Sequence, residues 1–280
     1  MNKMVPDQEI FKPHPALREF VISIFIFRAD LRHIDADVIC PFPPTPQNYI
    51  YFYINDPIHT QKIGQLAFIK KPVSITVGPQ LTRVNLNVGK DHFMLGIKFY
   101  PGGLYRLLGF PMEKIFDEDI DSYALFGNEI HVIYEKLKNA KSRLEMKNIA
   151  EAFLLQKTER LTAALPFDYA IRELVNNSGS MRIEKVASLS CLSLRQFERK
   201  CMERIGMPPK LFARLIRFSN AYHLKEKQPH LNWTAIAHSS GYYDQMHFLK
   251  DFKEFAGVIP SLIQEELEAT PLRLQGAIRQ

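Results

Sequence analysis

The chain has 280 residues, 46% hydrophobic and 24% charged, with 36 Lys and Arg against 30 Asp and Glu. That composition excludes global disorder and low-complexity architecture, and the length suits two domains better than one. No apolar run reaches the roughly 18–20 residues that span a bilayer. The opening MNKMVPDQEIFKPHP is polar and proline-broken, unlike a secretory signal. Cys40, Cys191 and Cys201 are too scattered for a disulfide framework or a four-ligand zinc site. A cytoplasmic protein with no membrane partner, metal or cofactor is expected.

The first hundred residues read mainly as strand. Phe20–Phe27 and Tyr49–Ile54 are β-branched and aromatic runs, and Val73–Val77 lies between Pro72 and Gly78-Pro79. Arg83–Val88 alternates strictly, and with the apolar run His92–Tyr100 beyond Gly89 it predicts a hairpin. Pro101-Gly102-Gly103 ends the β region. Leu104–Leu108, Asn128–Leu137 and Leu144–Gln156 carry apolar residues at helical spacing. Periodicity fades over Lys157–Pro166, and short helices follow. The expected fold class is α+β, with a β-rich sensor or dimerisation domain over 1–160 whose last part is a helical connector. An all-α domain over 166–267 completes it.

That second domain contains an internal repeat. VASLSCLSLRQFERKCMERIGMPP (Val186–Pro209) and IAHSSGYYDQMHFLKDFKEFAGVIP (Ile236–Pro260) share punctuation. Phe197 matches Phe248, Cys201 matches Phe252, Gly206 matches Gly257 and Pro209 matches Pro260, while Ala187 and Ala237 fix a second turn one residue longer. Ser193 with Gln196 forms a capping box, with Leu192 and Phe197 as its hydrophobic staple; Asp244 is the second cap, with Tyr243 and Phe248 as the equivalent pair. Gly206 and Gly257 stand where left-handed C-caps belong. Each copy is a short helix, a tight turn and a longer helix with defined ends, the pattern of a helix-turn-helix.

Leu194, Phe197 and Cys201 form the expected core face of one long helix, and Phe248, Phe252 and Phe255 that of the other. The opposite faces carry Arg195, Gln196 and Arg199 in the first and Gln245, Met246, Lys250 and Lys253 in the second. Arginine can pair bidentately with guanine and glutamine with adenine in the major groove. Arg172 to Lys253 holds 14 Lys and Arg against seven Asp and Glu, which concentrates positive charge as a phosphate-binding surface requires. Between the copies, Pro208–Lys227 reads as one helix of about 28 Å, short of but comparable with the ~34 Å turn of B-DNA.

At these residues the chain resembles the AraC/XylS family of bacterial transcription regulators. GYYDQMHFLKDFKEFAGVIP is similar to the family's C-terminal signature, and RQFERKCMERIGMPPKLFARLIRF to its first unit and linker helix. The resemblance covers about Pro166–Leu262. It implies a seven-helix domain, sequence-specific binding of double-stranded promoter DNA as activator or repressor, and base-reading positions at Arg195, Glu198 and Arg199, then Gln245, Met246 and Lys250. Asp244, His247 and Lys253 fall near bases or phosphates. Cys201 stands where a large aromatic is usual, and Met246 where a small polar residue is commoner. The pieces HPALREFV, Val77-Gly78-Pro79-Gln80 and GIKFYPGGLYRLLG resemble, more weakly, a sensor-type domain attached to some members. Better-known members carry a cupin-like β-barrel there, so a small-molecule effector, a homodimer and a contact with RNA polymerase are the expected partners.

Two other classes compete: an enzyme or repair protein with a helical DNA-binding accessory domain, and a non-specific architectural binder. The sequence shows no nucleophile triad, phosphate loop or metal-ligand set, and an architectural binder would spread its charge widely. Trp233 is expected to be a packing residue, His92, His238 and His247 not to be metal ligands, and Cys40 and Cys191 to be structural.

Overall fold

Tyr49–Ile54 has no polar alternation because the strand there is buried on both faces. The computed structural model describes residues 7–270 together with Leu272 and Leu274; Met1–Pro6, the start of the polar opening segment, lie outside the described residues. The N-terminal strands are β1 (Asp7–Phe11), β2 (Val21–Asp30), β3 (Ile39–Phe42), β4 (Asn48–Tyr53), β5 (His59–Lys62), β6 (Ile69–Lys70), β7 (Ser74–Val77), β8 (Val84–Asn87), β9 (Asp91–Phe99) and β10 (Asp119–Asp121). They form a sheet of order β1-β2-β9-β4-β7-β10 and a second of order β3-β8-β5-β6.

The period-2 rule divides the first sheet's side chains. Phe25, Phe27, Tyr49, Tyr51, Tyr53 and Met94 share a core with Cys40, Phe42 and Val84 of the second sheet. Ile24, Ile26, Ile50, Phe52, Leu95 and Ile97 share another with the helices α1 (Gly103–Leu108), α3 (Glu129–Lys138) and α4 (Arg143–Lys157). A short α2 (Ser122–Phe126) follows β10. The layers are therefore sheet, sheet, helix, and the fold is α+β.

The predicted hairpin is not formed. β8 pairs with β3 and β5, whereas β9 pairs with β2 and β4. Gly89, at φ 73°, turns the chain from one sheet to the other, and the Asp56 carboxylate accepts from the Lys90 and Asp91 N–H groups at 2.7 and 2.8 Å. Alternation marked the strand correctly but could not name its partner.

Seven helices follow among the described residues: α5 (Pro166–Asn176), α6 (Ile183–Leu189), α7 (Leu194–Ile205), α8 (Pro209–Lys227), α9 (Trp233–Ser239), α10 (Gln245–Ala256) and α11 (Pro260–Ala269). One continuous apolar cluster, from Phe167 to Ile263, holds them. Phe212, Leu215, Phe218 and Tyr222 of α8 lie in it, so the connector is core to both repeats. Trp233 packs on Phe248 and Phe252 with ring centroids 5.9 and 5.0 Å away.

Candidate nucleic-acid interface

The two repeats close their turns with the same hydrogen bonds. Ser190 N–H donates to the Val186 and Ala187 carbonyls and Leu192 N–H to that of Ala187; Ser240 N–H donates to Ile236 and Ala237, and Tyr242 N–H to Ala237. Cys191 at φ 56° thus stands where Gly241 stands at φ 79°. The added residue of the second turn is Tyr243, whose side chain is 100% exposed. It cannot staple Phe248; Tyr242, 7% exposed, does so instead, ring centroids 5.2 Å apart. The preceding pair was misassigned because the inserted residue shifts the register by one.

Both long helices are capped as expected. The Ser193 hydroxyl accepts from Gln196 N–H, and the Gln196 side-chain oxygen accepts from Ser193 N–H at 3.0 Å, which completes a capping box. The Asp244 carboxylate accepts from His247 N–H at 2.8 Å. Gly206 and Gly257 end the helices in the left-handed region, at φ 84° and 72°. Phe197, Cys201, Phe248, Phe252 and Phe255 are buried. Leu194, expected in the core, is 41% exposed, because its place in the first turn of α7 lies at the rim of that face.

The outward faces are open. Arg195, Gln196, Glu198 and Arg199 of α7 are all exposed, as are Gln245, Met246, His247, Lys250 and Lys253 of α10. Two of these groups are partly committed. Gln196 uses its oxygen in the capping box, which leaves its amide N–H groups for a base edge. Asp244 and His247 face each other at 2.6 Å, and the hydrogen bonds from His247 hold the Asp244 carboxyl below the usual carboxylate range. The acidic groups at the far end of α10 are neutralised internally: Asp251 and Glu254 both take Arg214 of α8.

The N-terminal domain grips the inner end of each reading helix. At α7, buried Arg204 donates to the Asp168 carboxylate of α5 at 2.7 Å and lies 4.7 Å over the Tyr105 ring of α1. A Cβ on Gly206 would come within 3.0 Å of the Met112 carbonyl, so only glycine allows this approach. At α10, buried Arg83 donates to the Ala256 carbonyl at 3.3 Å and pairs with Glu266 of α11 at 2.7 Å. A cation at a helix C-terminus is favourably placed against the helix dipole. Neither Arg83 nor Arg204 was legible as an interdomain group, since neither stands in a motif that marks a buried cation.

Between the two sheets lies a cavity with about 40 Å³ of room for a water-sized sphere, lined among others by Tyr51, Tyr53, Ile75, Val77, Met94, His92 and Leu274. His92 is 2% exposed and its Nδ1 has no hydrogen-bond partner. Burial lowers its pKa to about 4, with Asp56 and the Val88 carbonyl pulling weakly the other way, so the ring is neutral at pH 7. The Cys40 thiol nearby is pushed up to about 12 by burial. Among the described residues no group of three or more His, Cys, Asp or Glu stands at metal-binding distances, and no helix is long and apolar enough to cross a membrane.

Two capped reading helices on one seven-helix core define a double helix-turn-helix domain of the AraC type. Residues 186–266 match a helix-turn-helix domain family, and residues 9–121 match a domain of unknown function, DUF6597. An uncharacterized HTH-type transcriptional regulator of Haemophilus influenzae is 35% identical over 109 residues, 39% of this chain. The match spans about a third of that relative's length, 34%. Among solved structures, ToxT from Vibrio cholerae is 15% identical, covering 87% of this chain and 97% of its own, at a TM-score of 0.48. An apo form of ToxT from strain SCE256 is 14% identical, covering 92% and 100%, at 0.49.

Proposed function

We propose that the chain is a sequence-specific transcription regulator that reads two successive major-groove segments with helices 193–205 and 244–256. The carrying observation is the pair of exposed, individually capped helices joined by the 19-residue α8. Lys and Arg contacts to phosphate give salt-dependent affinity and orientation. Arg195, Glu198 and Arg199 then address base edges from α7, and Gln245, Met246 and Lys250 from α10. Glu198 suits cytosine N4, and Met246 suits a thymine methyl. Gln196, Asp244, His247 and Lys253 flank these positions and serve phosphates or the helix ends. The separate apolar clusters of the two halves support a division near 160–166.

The N-terminal cavity is the effector site in this reading, and a ligand there acts by favouring one arrangement of the domains. In vitro selection of DNA sites with the purified full-length chain tests the whole. Enrichment of one long site with two clusters of specified bases is the expected result. Recovery of no preferred sequence would remove the reading.

A further inference from the structure

One large side chain of the second unit has no role in holding the fold. Tyr243 is the residue by which the second turn exceeds the first, and the stapling contact belongs to its neighbour Tyr242, whose ring meets Phe248. Among the described residues the Tyr243 side chain makes no hydrogen bond, ion pair or ring contact, and it is fully exposed. Isolated apolar side chains are common on protein surfaces and carry no meaning by themselves. The placement of this one does. Of the large apolar side chains described, the three most exposed are Leu66, Tyr243 and Met246, at 101%, 100% and 80%. Two of those three stand together at the leading end of α10, Tyr243 just before the Asp244 cap and Met246 in the first turn.

That end of a reading helix is the one that enters the major groove. Met246 lies within the helix and Tyr243 one step outside it. With the first turn in the groove, Tyr243 stands at the groove's edge, where the backbone phosphates run. The chemistry of the turn fits an uncharged phosphate contact. Ser240 to Asp244 (SGYYD) includes no Lys or Arg. Its one carboxylate, Asp244, is turned onto His247, accepting from the backbone N–H at 2.8 Å and lying 2.6 Å from Nδ1 of the ring. The Tyr243 phenol is therefore the exposed side-chain donor that this turn offers to a phosphate oxygen. The first unit has no counterpart, because half-buried Leu192 runs directly into the Ser193 cap.

We propose that Tyr243 is a further DNA-contacting residue: its hydroxyl donates to a backbone phosphate at the edge of the second half-site, and its ring packs on the adjoining deoxyribose. The proposal rests on the reading of α10 as a major-groove helix. A contact of this kind carries no base preference. It fixes how α10 enters the groove, so that Gln245, Met246 and Lys250 meet the bases in one register. It also makes the two half-sites unequal, since the second gains a neutral anchor that the first lacks.

The experiment is phosphate-ethylation interference and affinity titration with the full-length protein on the duplex recovered by site selection. Tyr243→Phe should weaken binding about fivefold, the usual worth of one neutral hydrogen bond. It should erase interference at one phosphate beside the second cluster and leave the other positions as in the native chain. The thermal midpoint should not move, because the side chain touches nothing in the fold. The salt dependence should keep its slope, because a neutral donor releases no counterion. Tyr243→Lys should restore the affinity and steepen the slope of log K against log salt by about 0.9, as one added phosphate contact does. Native affinity and a native interference pattern in Tyr243→Phe would overturn the proposal. So would a loss of binding accompanied by a lower melting midpoint, which would give Tyr243 a role in the fold, or an unchanged salt slope in Tyr243→Lys. If the native chain shows no interference at any phosphate, the reading of α10 as a DNA helix fails as well; a native pattern that Tyr243→Phe leaves intact removes this contact alone.

Discussion

Cys191 adopts a left-handed backbone at φ 56° where the second repeat has Gly241. For a residue with a Cβ that conformation costs roughly 1–2 kcal/mol, and the extra chain freedom of glycine gives back about half of that. Cys191→Gly should therefore raise stability by about 0.5–1 kcal/mol, read as a higher urea midpoint at constant slope. On the reading faces the discriminating test is a ratio. Arg199→Ala or Lys250→Ala should weaken binding to the selected site by about 1–3 kcal/mol and to random duplex far less. Equal losses on both would reduce these residues to phosphate contacts. His92 supplies a pH signature. Its folded pKa, about 4, lies below its ordinary 6.5, so the unfolded chain takes up the proton first as pH falls. Nothing is lost above about pH 6.5, where both states are neutral; the loss grows through the window and reaches roughly 3 kcal/mol at pH 4. The acid loss of stability should be smaller by about that amount in His92→Phe, measured by chemical denaturation across the window.

At the scale of elements, the C-terminal half was legible because its rules are local. Caps, left-handed glycines and a three-to-four apolar period set each helix, and α7, α8 and α10 fall within a residue of the expected ends. The site faces follow from the same periodicity. The failures were also local: one inserted residue, Tyr243, moved the staple to Tyr242, and Leu194 sits at the rim of its face. The sheets were less legible, since a strand's pattern fixes its faces but not its neighbours. Arg83–Val88 and His92–Tyr100 are adjacent in sequence and divided between sheets. The structural load of the repeat lies on its phenylalanines. Phe252 is fully buried and meets Phe218, Trp233 and Phe248 at centroid distances of 5.0, 5.0 and 4.7 Å. Phe252→Ala should cost about 3–5 kcal/mol and abolish binding through unfolding of the second unit. A cooperative melt at the native midpoint would show that the packing is dispensable.

At the scale of the molecule, the relative placement of the two reading helices is fixed twice over. α8 joins them through the core, and the N-terminal domain holds the far end of each, through the Tyr105 ring under Arg204 and the close approach at Gly206 at one and through Arg83 at the other. The second of these ties was invisible in the sequence, because long-range ion pairs and a close backbone approach leave no periodic trace. A frame held in this way cannot follow a changed operator. At 1.5 Å per residue the 19 residues of α8 span about 28 Å, which suits neighbouring groove segments about one duplex turn apart. Inserting five base pairs between the two specified clusters turns one of them to the opposite face of the duplex. Loss of even two base contacts, at about 1–3 kcal/mol each, should then weaken specific binding by about 30-fold or more. Inserting ten base pairs restores the face but roughly doubles the distance, so binding should not recover. Gel-shift titration of the three duplexes at one salt concentration separates these outcomes. Recovery with ten pairs would mean that two protomers, each using one helix, read the site, and the single-chain frame would be wrong.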